Sequence, residues 1–399
     1  MKCKITNKLI KPFMSFGKMP LANGFLVEKQ FKSEFFFEME VGFSEELSLF
    51  QLNDYPKPEL MFNERYPFYT GSSEYMKKHF KLFADWLKKE FLKTNSKIIE
   101  IGSNDGTLLS NFKNTNIDYV GFEPSLNVAN KAIERKSNTI NKFFNINNTE
   151  ELNKFKNSTD VICASNVICH IPNLNDLILS VDKMLSSKGV FIFEEPYLGS
   201  MFEKVSYDQI YDEHIFMFSI NSIKKIFDLY DFELIDVLPQ PTHGGSMRYV
   251  VGRKKKHSVN QRVNSGILEE DKNNISNIKS CIEFKKECEN SKNNISNSLK
   301  KFKRDGKKIC GYAATSKSTT ILNYCNLDDS IISYICDTTK EKIGKFSPGA
   351  HIPIVPTSHF HKNLPDIAYL FAWNHKDEIF EKEKNFIKNK NQWFSHVTL

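Results

Sequence analysis

The sequence predicts an α/β protein in three parts. A central parallel sheet carries helices on both faces; a small irregular domain precedes it and a second, smaller α/β domain follows. Two observations carry this reading. From about residue 76 to 250, short apolar runs alternate with segments of helical period, the pattern of a parallel sheet covered on both faces. A strand–turn–helix corner then occurs twice, at Lys97–Phe112 and again at Lys307–Cys325. A length of 399 residues suits two or three domains.

Taken in order, residues 1–75 are irregular and rich in Phe and Pro, and read as a small N-terminal domain. Residues 76–253 hold expected strands at Lys97–Ile101, Asp118–Phe122, Asp160–Ala164, Val190–Phe193, Phe232–Val237 and Met247–Gly252, the last two forming an antiparallel edge. Residues 254–305 are polar, but Ile267, Ile275, Ile278, Ile282, Phe284, Ile295, Leu299 and Phe302 recur at roughly helical spacing, so one or two amphipathic helices are expected as a connector. Residues 306–399 repeat the strand–helix alternation. Ile309–Ala313 reads as a strand, Thr315–Ser318 as a turn, Thr319–Cys325 as a helix, and further strands end in Asp337 and at IPIVP and IAYLFAW.

Composition bounds the function. No apolar run reaches the roughly 18 residues of a membrane span, and the start lacks a signal-peptide core. Eight scattered Cys suit reduced thiols, so a cytoplasmic location is expected. The net charge of +7 is spread along the chain and no nucleic-acid module is visible; a mildly basic protein suits a small anionic substrate.

The first corner carries the strongest chemical signal. The strand ends with Glu100, turns through Gly102, Asn104, Asp105 and Gly106, and is expected to enter a helix at Thr107. About 20 residues on, Glu123 and Pro124 end the second strand, where a carboxylate suits two ribose hydroxyls. Dinucleotide sites place a glycine where Asn104 stands. Glu-x-Gly-x-x-x-Gly instead resembles motif I of class I S-adenosylmethionine (SAM) methyltransferases. SAM has no phosphate, so an acidic turn is tolerable and Asp105 is positioned to meet its ammonium group. Ser165, Asn166 and Val167 follow the next strand, at the end where ligands lie in parallel sheets. His170 reads equally as a structural and as a catalytic histidine. Beyond the following strand come Glu194 and Tyr197, then Tyr211, Asp212, Glu213 and His214, a carboxylate–imidazole grouping that suits an oriented general base.

YDEHIFMFS resembles the Tyr-x-Glu-His-x-x-x-Phe-Ser motif of the SAM-dependent sugar C-methyltransferases of deoxysugar biosynthesis. So do MPLANGFL, CHIPNL, EEPYLG, THGGSMRYVV, GYAATSKSTTILNYC, FSPGAHIPIV and LFAWNHKDEI, in order from about Met19 to Ile379. The resemblance implies an N-terminal zinc-type domain, a central Rossmann-like SAM domain and a second Rossmann-like C-terminal domain that helps hold a nucleotide sugar. It implies methylation of a carbon beside the ketone of a nucleoside-diphosphate sugar. Carried over by motif, His214 is the base, with Glu213, Tyr211 and Tyr69 beside it; plain packing is the alternative for Tyr69. SAM falls to Glu100, Gly102, Asn104, Asp105, Gly106, Glu123, Pro124, Ser165, Asn166 and Val167. The acceptor falls to Tyr66, Glu194, Tyr197, His170, His243, Gly244, Gly245 and Ser246, with Thr315, Ser316 and Lys317 at its diphosphate.

The sequence departs from this family in two places. The two Cys-x-x-Cys pairs of its zinc site fall on Cys3 and Thr6 and on Ser44 and Leu47, so no zinc is expected. Two family glycines are Ala313 and Ser318 here, and a positive φ at either would be strained. Three rival readings stand beside this one: methylation of a sugar hydroxyl or amine on the same scaffold, an NAD-dependent oxidoreductase, and a non-catalytic nucleotide-sugar-binding protein. Sugar, nucleotide, carbon and oligomeric state are not legible.

Overall fold

In the computed structural model, which describes all 399 residues, the strands form three sheets. The N-terminal sheet is antiparallel: β1 (Pro12–Pro20), β2 (Phe36–Ser44) and β3 (Leu49–Leu52). The central sheet begins with β4 (Lys97–Ile101), β5 (Asp118–Phe122), β6 (Thr139–Ile140), β7 (Thr159–Ser165) and β8 (Leu185–Pro196), all parallel. After the short strand β9 (Phe216–Met217) come β10 (Phe232–Gln240) and β11 (Ser246–Arg253), which close one edge antiparallel in the order β10-β11-β8-β7-β4-β5-β6. The inner strands are buried on both faces, which is why their sequences read as continuous apolar runs.

β9 belongs to the other sheet. Phe216 pairs with Gln51 and Met217 with Phe50, so the run Ile215–Phe218 leaves the central domain and extends the N-terminal sheet. Its four apolar side chains are all buried, as a strand covered on both faces requires. This places the preceding residues, Tyr211 to His214, at the seam between the two sheets.

Two helices, Gln261–Lys272 and Ile278–Arg304, span the connector. Cys281, Phe284, Cys288, Ile295 and Leu299 share a buried face packed with Met14, Phe16 and Ile309, while Ile282 on the other side is exposed. The C-terminal sheet is wholly parallel: β12 (Ile309–Tyr312), β13 (Ile335–Asp337), β14 (Ile354–Pro356), β15 (Ile367–Leu370) and β16 (Gln392–Phe394), in the order β14-β13-β12-β15-β16. No helix is long and apolar enough to cross a membrane.

Some expectations change. The helix expected from Thr107 is only a 3-10 turn, Leu109–Phe112. Side chains take the carbonyls that would propagate it: Ser110 Oγ and Asn111 Nδ2 donate to Thr107 O at 2.8 and 3.0 Å. No helix dipole therefore faces the first corner. Ala313 adopts φ +70°, the left-handed strain foreseen for it, whereas Ser318 lies inside the helix Ser316–Tyr324. The N-terminal domain also meets the C-terminal one: Phe31 stacks on His351, 3.8 Å between centroids.

The zinc ligands are a poor fit. Cys3 is fully buried in an apolar cluster with Ile5, Leu47 and Leu49. One thiol facing leucines, with Thr6 and Ser44 at the other ligand positions, does not make a tetrahedral site.

Candidate active site

The carboxyl ends of β4, β5 and β7 open onto a cavity of about 430 Å³. Gly102 turns the chain at φ +65°, and a Cβ there would lie 2.4 Å from the Val167 side chain, so only glycine lets the two loops meet. At the end of β5, Glu123 accepts the Ser125 N–H at 2.8 Å and the Asn104 N–H at 3.0 Å. Each carboxylate oxygen retains a lone pair for a further donor. Burial pushes Glu123 upward in pKa and these bonds pull it back. Glu100 is raised far more, by burial and then by Asp105 and Glu123.

Glu100, Gly102, Asn104, Glu123, Pro124, Ser165, Asn166 and Val167 line this part of the cavity. Glu100 Oε2, Ser103 Oγ, Ser165 Oγ and Asn166 Oδ1 are buried and unpartnered. Unspent polar atoms beside the Glu100 and Glu123 carboxyl groups fit a polar ligand that carries positive charge, as SAM does.

Asp105 is turned away. Its carboxylate accepts the Gly71 N–H at 3.0 Å and the Thr107 hydroxyl at 2.6 Å and pairs with Arg135, which leaves nothing for an ammonium group. Gly106 supports the corner against Ser137 and does not reach the cavity. The Asn104 side chain holds the same overlying segment as Asp105, accepting from Thr70 N at 2.8 Å and donating to Phe68 O at 3.2 Å.

The opposite wall carries Tyr66, His170, Tyr211, Glu213, His214 and His243. His214 is 4 % exposed. Its Nδ1 donates to the Gln209 carbonyl at 2.7 Å, which leaves Nε2 to accept the Tyr211 hydroxyl at 2.7 Å. Burial, then the neighbouring His170, hold the His214 pKa well below the usual 6.5, so the ring is neutral. Glu213 accepts Asn23 Nδ2 at 2.6 Å and the Tyr66 hydroxyl at 3.2 Å, and burial raises it to about 7. Asp212 beside it accepts the Ala22 N–H and is raised well above its usual range by burial and by Glu213.

His170 stacks between Phe62 and His214, with centroids 5.5 and 5.2 Å away. Its Nε2 has no partner, and burial lowers it to about 3. His243 meets Asn166 Nδ2 at 2.6 Å and is likewise lowered to about 3 by burial and Lys317. Thr315 caps the helix Ser316–Tyr324 and, with Ser316 and Lys317, reaches the cavity from the C-terminal domain. Lys317 lies 4.6 Å over the Trp373 ring and donates to Asn374 at 3.3 Å.

Several expected residues lie elsewhere. The Tyr69 hydroxyl accepts from Asn127 at 2.7 Å, off the cavity wall; Tyr66 reaches Glu213 instead. Glu194 is spent on His79 at 2.6 Å and Arg248 at 2.7 Å, which overcome burial and keep it below the usual carboxylate range. Tyr197 donates to the buried Glu270 at 2.9 Å. Gly244 abuts Trp373, Gly245 abuts Ser200, and Ser246 donates to Thr242 O, so all three stand behind the wall. Conversely, Asn23, Phe62, Phe143, Phe144, Lys342, Asn374 and His375 line the cavity without having been singled out. Asn23 lies within MPLANGFL, and Asn374 and His375 within LFAWNHKDEI; the other four stand in no quoted motif.

Three family models tile the chain in order: a zinc-binding-type domain over residues 3–62, a methyltransferase domain over 74–237 and a C-methyltransferase C-terminal domain over 241–397. The C-methyltransferase NovU of Streptomyces niveus is 28% identical over 379 residues, 94% of this chain and 90% of that protein. Among solved structures, the PH0226 protein of Pyrococcus horikoshii OT3 aligns with 50% of this chain and 100% of its own, at 16% identity and a TM-score of 0.37. Magnesium protoporphyrin IX methyltransferase of Synechocystis PCC 6803 with bound SAM aligns with 45% and 79%, at 12% identity and a TM-score of 0.34.

Proposed function

This chain belongs to the three-domain SAM-dependent C-methyltransferases, and from that premise we propose that it methylates a carbon beside the ketone of a nucleoside-diphosphate sugar, with His214 as the general base. The observation that carries this reading is the fixed tautomer of His214. With Nδ1–H committed to a carbonyl, the lone pair of Nε2 points at the Tyr211 hydroxyl, in the same cavity that Glu123 lines.

A ketone acidifies its neighbouring C–H. When the acceptor enters, the Tyr211 hydroxyl turns from Nε2 to the ketone oxygen. Nε2 takes the C–H proton and the electron pair moves onto the oxygen as an enolate. Glu123 and the loops at Gly102 and Val167 would hold SAM, which would supply an electrophilic methyl on sulfur to the enolate carbon, the C–S pair remaining on sulfur as the ketone re-formed. His214 then releases its proton to solvent. A histidine of low pKa is a weak base in isolation, but here its imidazolium forms beside an enolate in a water-poor cavity, where opposite charges attract strongly. Glu213 orients the acceptor through its contacts with Asn23 and Tyr66. Lys317 and Lys342 line the C-terminal side, where two ammonium groups suit a diphosphate.

A mass-spectrometric screen of nucleoside-diphosphate keto sugars with SAM tests this. The wild type gains one methyl on a suitable acceptor, and His214→Asn turns over little or none. Without SAM, the wild type exchanges the α-proton of that acceptor for solvent deuterium. Robust turnover by His214→Asn would remove the base role; absence of exchange in an acceptor that binds would favour oxygen or nitrogen as the methylated atom.

A further inference from the structure

Asp208 lies behind the cavity wall, one residue before Gln209, whose carbonyl receives the Nδ1–H of His214. Its carboxylate is fully buried. Two residues of the C-terminal domain grip it. The Trp373 indole N–H donates to Oδ2 at 2.7 Å, and His396 Nε2 stands 3.0 Å from Oδ1, at ion-pair distance but off the hydrogen-bonding direction. Burial pushes Asp208 upward in pKa, yet His396, Lys317 and the Trp373 N–H outweigh it and keep the carboxylate charged. The next carbonyl along, Ile210 O, accepts the Thr320 hydroxyl at 2.9 Å, a second tie to the C-terminal domain.

Trp373 reaches the site by other routes too. Its ring lies under the Lys317 ammonium, and its edge fills the space a Cβ on Gly244 would need, 2.1 Å away. Gly244 follows His243, which holds Asn166. One indole therefore touches the supports of the base, of a cavity lysine and of the cofactor loop. A buried carboxylate is a poor stabilising device, because its desolvation cancels much of what its partners return; a defined geometry is what such a contact retains.

We propose that Asp208 is a positioning residue of this active site: held by Trp373 and His396, it fixes the Gln209 carbonyl that sets the tautomer of His214. The C-terminal domain thereby controls the base without contacting the reacting carbon. The catalytic meaning of this rests on the reading of His214 given above, but the tautomer is measurable without turnover.

The test uses full-length protein with ¹⁵N-labelled histidine, in long-range ¹H–¹⁵N spectra, with S-adenosylhomocysteine binding as the check on folding. The signal lost in His214→Asn identifies His214, and in the wild type it reports the Nδ1–H form. Asp208→Asn keeps the volume and removes the charge; Trp373→Phe removes the N–H together with the outer ring edge that rests on Gly244. In both variants the His214 signal moves toward the Nε2–H form or a mixture while S-adenosylhomocysteine still binds. With an acceptor in hand, kcat falls by about 10- to 100-fold and KM changes little. An unchanged His214 signal in both variants overturns the proposal, as does loss of S-adenosylhomocysteine binding in both, which would make Asp208 a general folding residue. A fully active His214→Asn protein would instead end the base assignment and leave the tautomer result standing.

Discussion

Glu213 occupies an environment that sets its charge against its fold. Burial raises its pKa to about 7 from 4.5, even though Asn23 and Tyr66 both favour the charged form. The unfolded chain sheds this proton near 4.5, so between that pH and about 7 the folded chain holds more protons. Stability from this group is then full below the unfolded value and falls as pH rises through the window. Glu213→Gln, which keeps the shape and cannot ionise, removes that slope. Its Tm relative to wild type should climb by a few degrees from about pH 5 to 7.5, as read by scanning calorimetry, and parallel curves would contradict the assigned burial. The same scale shows what local pattern can reveal. Glu100, Gly102 and Glu123 were legible because a strand, a glycine turn and a spacing suffice to place them. Asp105 was not, because its partner Gly71 lies 34 residues back in the chain, and no local pattern reports that a carboxylate is already taken.

Among the elements, the segment from Pro58 to Ser73 overlies the first corner, where no α-helix N-terminus forms. It covers the cofactor side of the cavity and is latched there by Asn104 and Asp105, and by Asn127, which donates to Tyr66 O at 2.9 Å. The missing helix has a local cause, since Ser110 and Asn111 cap the chain's own carbonyls. The apolar spacing around them, at Leu108, Leu109 and Phe112, reads as helical all the same. Strand β9 shows a different limit. Its apolar run, Ile215–Phe218, is not among the expected strands; its partner β3 lies some 165 residues earlier, and register across that distance carries no sequence signature. Asn104→Gly tests the latch cleanly. Asn104 adopts φ +48°, which glycine accepts without strain, so the substitution removes only the side-chain bonds to Thr70 and Phe68. S-adenosylhomocysteine affinity should weaken by about 5- to 20-fold, roughly the value of one or two hydrogen bonds to backbone. Amides from Phe62 to Ser73 should exchange faster with solvent. Unchanged affinity with unchanged exchange would show that the segment holds itself in place.

On the scale of the whole molecule, the cavity belongs to no single sheet. Asn23 enters from the N-terminal sheet side, Glu123 and His214 from the central domain, and Thr315, Lys317, Lys342 and His375 from the C-terminal domain. This division predicts that the two ends of the site respond separately to mutation. Lys342 sits on the long loop between β13 and β14, its ammonium bonded only to the Ala314 carbonyl at 2.7 Å and lying 4.9 Å over the Phe25 ring. Burial lowers its pKa, while Asp337, Glu341 and Glu213 hold it up, so the cation persists with donors to spare. Lys342 lines the cavity from the C-terminal domain, as Glu123 does from the central one. Lys342→Met keeps the stem over Phe25 and deletes the charge. KM for the nucleotide-linked acceptor should rise at least about tenfold, the loss of one charge-assisted hydrogen bond, with S-adenosylhomocysteine affinity unaltered in calorimetry. If both ligands weakened together, Lys342 would be holding the domains in place, and the C-terminal domain would act on the site through the seam at Asp208 alone. If neither weakened, the anionic end of the acceptor would have to lie along Lys317.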